Sequence, residues 1–230
     1  MGTVFGKQSV AEPAFEVVWT QTAGLPYEIR RYGTRFAAQV QYAPDGDKND
    51  GTPFRLLARY IGVFGTPENQ GETAISMTAP VVKQQTPEQK EGTPIAMTAP
   101  VVKSTATTGK DERIMQFILP AEYTSIGQIP KPTNPAVTIE TLPPAMGAIH
   151  RYSGSFDDDK ANEMAQSLAK QLSTDGVTVG DESWVTEHHQ FWGYNPPFTL
   201  PMFRRNEVWL PLTREQVEKL TNSFNTKSAN

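Results

Sequence analysis

The chain has no cysteine in 230 residues, which excludes disulfides, cysteine-based zinc sites, thiolate ligation of iron and a cysteine nucleophile. Three histidines remain for metal chemistry. No apolar run approaches the roughly 18 residues a membrane-crossing helix needs, and the opening MGTVFGKQSV lacks the apolar core of a secretory leader, so a soluble chain is expected. Basic runs are missing too. With 21 basic and 25 acidic residues interspersed, the net charge is -4, which gives no electrostatic footprint for nucleic acid or an anionic membrane surface. Strings of the form G-x-S-x-G, H-E-x-x-H and the phosphate-binding G-x-x-x-x-G-K-[ST] are absent as well, so the common hydrolase, metalloprotease and nucleotide-binding chemistries have no signature here. The expectation is a protein that is not an enzyme.

What the chain does have is 19 prolines and 17 glycines with an apolar fraction of only 37%, a composition that favours many short strands and turns. After an arm at 1–14, strands are predicted at Phe15 to Trp19 and Tyr27 to Tyr42. In the second, Phe36, Ala38, Val40 and Tyr42 alternate with a more polar row. Thr52-Pro53 is a good N-cap and first-turn pair, and Phe54, Leu57, Ala58 and Ile61 follow on one helical face that stops near Gly62. A second helix is signalled by Asp157, Asp158 and Asp159, with Ala161, Met164, Ala165, Leu168 and Leu172 along one face. Further strands are predicted at Ile114 to Leu119, Val137 to Ile139, Ala145 to Tyr152, Val177 to Val179, Ser183 to Tyr194 and Glu207 to Leu212. Residues 15–213 read as one domain, and 214–230 as a C-terminal tail.

One stretch is nearly duplicated. Residues 66–83, TPENQGETAISMTAPVVK, return twenty positions later at 86–103 as TPEQKEGTPIAMTAPVVK. Two copies are too few for a solenoid. They suggest an extended hairpin or paired loop, with Ile-x-Met-Thr-Ala-Pro as a strand stopped by its proline.

Four strings in this order resemble the SOUL / haem-binding-protein family: YEIRRYG from Tyr27, Met-Thr-Ala-Pro-Val at Met77 and again at Met97, PKPTNP from Pro130, and YNPPFTLPMFRRNEVWL from Tyr194. The resemblance runs from about Phe15 to Leu212. It implies an α+β fold, a distorted and mostly antiparallel β-barrel with two helices built as a pseudo-twofold repeat of α/β halves, a scaffold also similar to gyrase-inhibitor-like effector-binding domains. It implies as ligand haem, or a related porphyrin, held without catalysis in an apolar groove beside the first helix. The residues that match the groove are Phe54, Leu57, Ala58 and Ile61, with Arg59 and Arg31 available to propionates; the same four apolar residues equally suit a core face. Arg31 stands where a relative has had a histidine proposed as iron ligand, so axial ligation falls to His150, His188, His189, Met77 or Met97, each of which also has an ordinary structural reading. His188 and His189, if in a strand, point to opposite faces.

The alternative reading is a small-molecule hydrolase or lyase using a barrel carboxylate. Glu207 is its candidate, either with a raised pKa or, more simply, in an ion pair with Arg204 or Arg205 or a hydrogen bond to backbone.

Overall fold

The computed structural model describes residues 11–43, 51–85, 113–155, 157–195 and 199–227. Nine strands form one curled antiparallel sheet: β1 (Phe15–Gln21), β2 (Tyr27–Tyr32), β3 (Arg35–Tyr42), β4 (Val81–Gln85), β5 (Arg113–Ile118), β6 (Thr138–Leu142), β7 (Ala145–Tyr152), β8 (Gln190–Gly193) and β9 (Asn206–Pro211). Their order is β1-β2-β7-β9-β8-β4-β5-β3-β6. With β1 set aside the order is palindromic, because β2-β7-β9-β8 from one end corresponds to β6-β3-β5-β4 from the other. The unit β3, helix, β4, β5 is repeated as β7, helix, β8, β9, which is the expected pseudo-twofold architecture.

Each half carries its helix on the outer face. Helix α1 (Gly51–Ile61) lays Leu57, Ala58, Tyr60 and Ile61 on Phe36, Ala38, Val40, Met115 and Phe117, the face that the alternation in β3 marks out. It stops at Gly62, whose φ of +89 suits glycine. Helix α2 (Asp158–Thr174) starts under Asp157, whose side chain accepts from the Lys160 N–H at 3.0 Å, and buries Ala161, Ala165, Leu168 and Leu172 against Ile29, Ala148, Val208 and Leu210. Inside the curl, Tyr32, Ala37, Val82, Ile118, Ile149, Trp192 and Trp209 form a third cluster.

Several expectations are corrected. The strand expected over Tyr27 to Tyr42 is two strands, broken at Gly33-Thr34, where the chain crosses from one end of the sheet to the other. Pro80 precedes a strand instead of stopping one: Ile75 to Ala79 lies outside the regular ladder and β4 follows the proline. Val177 to Val179 forms no strand; the Val177 N–H bonds back to the Leu172 carbonyl at 2.9 Å, finishing α2. Ser183 to Tyr194 begins as helix α3 (Glu182–His188), because Asp181 caps the Trp184 N–H at 2.8 Å, and only then becomes β8. The tail contains helix α4 (Arg214–Lys227), which buries Val217 and Leu220 on the α2 side. A reciprocal Thr213 and Gln216 capping box opens it. Residues 86–103, with Met97, lie outside the described residues.

Gly147 lets the Trp209 indole lie flat over β7: a Cβ there would sit 2.3 Å from Trp209 Nε1 and 2.7 Å from the Leu210 carbonyl oxygen. Gly147→Ala is therefore expected to cost about 1–3 kcal/mol through overpacking. Gly33→Ala, with nothing within 4 Å, is expected to stay within about 0.5 kcal/mol of wild type. Urea unfolding curves of the two variants check this.

Candidate functional site

The most polar part of the interior is built by β2, β8 and β9. Alternation in β2 puts Tyr27 and Ile29 toward α2 and sends Arg30 and Tyr32 into the curl. On β9, Val208 and Leu210 face α2, so Glu207 points inward with no exposed surface. Arg30 meets it as a two-pronged partner, Nη1 to Oε2 at 2.8 Å and Nη2 to Oε1 at 3.1 Å. Arg205 adds Nη2 and Nε on Oε1 at 2.8 and 3.0 Å, and the Tyr194 hydroxyl donates to Oε2 at 2.6 Å. Arg205 also reaches Glu12, and Arg30 reaches Glu28. Five donors thus converge on one carboxylate, which offers about four lone-pair sites.

Burial alone would raise the Glu207 pKa. The hydrogen bonds and charge of Arg30, then Arg205 and Tyr194, outweigh it and hold the group below the usual carboxylate range. A raised pKa is thereby overturned, and so is a pair with Arg204, which donates to the Thr199 carbonyl instead. Such a carboxylate is ionised at neutral pH and has no lone pair to spare, so it is poorly placed as either a general acid or a general base.

The groove candidates divide. Leu57, Ala58 and Ile61 are 0%, 0% and 4% exposed and belong to the core beneath α1. Phe54 is half-buried, edge-on to Phe117 at 5.3 Å. Arg59 is exposed, with a loose 3.7 Å pair to Glu68. Directly after the helix, Val63 and Phe64 are exposed. The Ile75 N–H bonds the Ile61 carbonyl, and this brings Met77 to the same end of α1, exposed and not packed in the core as its ordinary reading would have it. Arg31 points outward, paired with Glu16 on the surface.

Each histidine has its Nδ1 on a backbone carbonyl: His150 on Pro26 at 2.7 Å, His188 on Trp184 at 2.8 Å, and His189 on Val185 and Thr186, both at 3.1 Å. A carbonyl only accepts, so Nδ1 carries a proton in all three and Nε2 is the atom left for a ligand. His150 and His189 are buried, whereas His188 is half-buried and stacked on Trp184 at 4.4 Å. Because His188 ends a helix and His189 follows it, the opposite-face geometry expected from a strand does not apply. Burial lowers the His189 pKa, with the two carbonyl bonds and the charge of Asp158 partly offsetting it. Among the described residues, no three His, Asp or Glu side chains are grouped to hold a metal ion, and no helix is long and apolar enough to cross a membrane.

The sequence profile of the SOUL heme-binding protein family matches residues 10–94 and 87–211. The chain belongs to that family. The two matches overlap at 87–94, and each contains one Met-Thr-Ala-Pro-Val string. Similar solved structures include the EcmrR C-terminal domain (10% identity, 84% of this chain and 98% of that one, TM-score 0.48) and a hydrolase from Listeria innocua (11%, 81% and 91%, TM-score 0.49). SAV2435 bound to tetraphenylphosphonium is a third (8%, 83% and 95%, TM-score 0.41). At these values the likeness is a broad one of chain path. No curated protein matches this SOUL chain in sequence.

Glu207→Gln leaves Arg30 and Arg205 facing a neutral amide, and is expected to cost about 3–5 kcal/mol. The sign of the pH dependence follows from the lowered folded pKa. The stabilisation from Glu207 is fully present above its ordinary value of 4.5 and is lost as pH falls through the lower folded value. The gap between wild type and variant in urea midpoints should therefore be constant near neutrality and shrink below about pH 4.5.

Proposed function

We propose that this SOUL protein binds haem or a related tetrapyrrole, without catalysing a reaction on it, in the apolar surface beside α1. Family membership carries the ligand class. The place rests on one observation: Val63, Phe64 and Met77 are 47%, 60% and 36% exposed at one end of α1, where a flat apolar ligand would bury them. Phe54 lines the helix's first turn, and the loosely held Arg59 suits a propionate. On this reading Leu57, Ala58 and Ile61 are the floor that seats the helix. Axial ligation at that surface, where iron is present, falls to Met77; the Nε2 of the half-buried His188 on α3 is a second candidate, away from α1. Met97 stands as a further candidate, as do His150 and His189 if they become accessible. Glu207 supports a non-catalytic reading, since its oxygens are occupied by the protein's own donors.

The test is a haemin titration followed at the Soret band, with iron-free protoporphyrin IX in parallel. A saturable one-to-one shift is expected, weakened at least about tenfold by Val63→Ser/Phe64→Ser, since two apolar contacts of about 1.5 kcal/mol or more are lost. Met77→Leu and His188→Ala should alter the haemin spectrum but not protoporphyrin binding if either ligates iron. No saturable binding of either porphyrin would overturn the proposal, and binding indifferent to the double variant would move the site away from α1.

A further inference from the structure

The duplicated stretch meets the fold at a single place. Strand β4 fills the slot between β5 and β8, where Val81 to Gln85 pairs with Arg113 to Phe117 and Val81 to Gln84 with Gln190 to Gly193. In the strand and its approach, from Ala74 onward, this copy buries Ile75 and Ala79, 5% and 4% exposed, then Pro80, Val82 at 2% and Lys83 at 4%. Thr78 donates its hydroxyl to the Ile118 carbonyl, and the Lys83 ammonium, over the Phe191 ring, pairs with Asp158.

At the positions twenty residues later, the second copy has Ile95, Thr98, Ala99, Val102 and Lys103, identical at every one of these sites. The copies differ within the strand and its approach only where the first is exposed or half-buried: Ala74, Ser76, Gln84 and Gln85 against Pro94, Ala96, Ser104 and Thr105. Among the described residues, the side-chain bond in the slot that the second copy would lose is the Gln190 amide to the Gln84 side-chain oxygen at 2.7 Å, which Ser104 is too short to reproduce. Each string also falls in its own family match.

We propose that the β5–β8 slot is a strand-recognition site with two occupants in the same chain, and that Val101–Thr105 exchanges with Val81–Gln85 as its central strand. Strand addition rewards backbone hydrogen bonds plus pockets for alternate side chains, and both rewards are the same for either copy. The connections permit it. Residues 86–112 join β4 to β5 with the first copy seated, whereas 106–112 would do so with the second, somewhat longer than the roughly two to five residues of a tight hairpin but well short of the roughly 12–15 beyond which connections become uncommon. The twenty residues released from that loop move to the α1 side of the slot, and closure entropy depends only logarithmically on loop length. Gly62 to Thr73 keeps its own anchors in either case, because Asn69 holds the Tyr60 and Thr73 carbonyls and the Thr73 N–H.

The absence of cysteine makes the test direct. Gln84→Cys/Gln190→Cys places thiols on register partners and reports the first copy; Ser104→Cys/Gln190→Cys reports the second. Both full-length variants are expected to form an intrachain disulfide under the same redox buffer, at rates within about tenfold of each other. Deleting residues 86–105, which leaves only the first copy, and deleting 74–93, which leaves only the second, should both give cooperatively folded proteins with the same far-UV spectrum. A disulfide from position 84 alone overturns the proposal, as does one from position 104 alone. A position 104 disulfide that joins two chains does so as well, and so does failure of the 74–93 deletion to fold while the 86–105 deletion folds.

Discussion

The interior is organised around one carboxylate that cannot reach water. A fully buried Glu207 must be either neutral or matched, and the protein matches it. Arg30 arrives from β2, Arg205 from the start of β9 and Tyr194 from the end of β8, so one anion joins three neighbouring parts of the sheet. Through Glu12 on Arg205, the first described residues are tied to the same point. The cluster is self-sufficient in charge and donors, and this is why it stabilises and orients without offering a reactive group.

That arrangement separates two kinds of chemistry. The Glu207 cluster is matched internally by Arg30, Arg205 and Tyr194, whereas the side chains exposed just after α1, Val63 and Phe64, are apolar. On the proposed reading, a flat, hydrophobic ligand with acidic edges would meet contact area and the Arg59 cation at the second place without breaking a buried ion cluster. The histidines contribute a common feature, a ring oriented by a backbone carbonyl, which settles that Nε2 and not Nδ1 is the nitrogen left for a ligand.

Much of this was legible in the residue pattern. The alternation in β3 and the i, i+3, i+4 spacing of α1 and α2 located those elements and their buried faces, because a half-buried strand and an amphipathic helix each leave a period. The pseudo-twofold repeat followed from family resemblance together with the repeated order of elements. Two local signals were overlooked: Asp181 before Trp184 and Thr213 before Gln216 are cap pairs that announce α3 and α4. The aromatic-rich run after Ser183 masked the first with strand-like composition. Pairing of Arg30 with Glu207 spans 177 positions, and no local period encodes it. Period two states that Arg30 and Arg31 face opposite ways, not which of them faces in; Arg31, at the position where a relative has a proposed iron ligand, is the outward one. Similarly, the α1 face was correctly apolar, yet nothing in its spacing tells a core stripe from a ligand groove.

The position of β4 has a bearing on how the chain is made. Its slot is bounded by β5 at Arg113–Ile118 and by β8 at Gln190–Gly193, so the ribosome has released both Met-Thr-Ala-Pro-Val strings long before the second wall of the slot emerges. Pairing with β5 can begin once residue 118 has emerged, but the strand gains its second neighbour only near the end of synthesis. Until residue 193 has left the exit tunnel, β4 waits without a partner strand on that side, which is the interval in which nascent chains of this kind would depend most on holding factors.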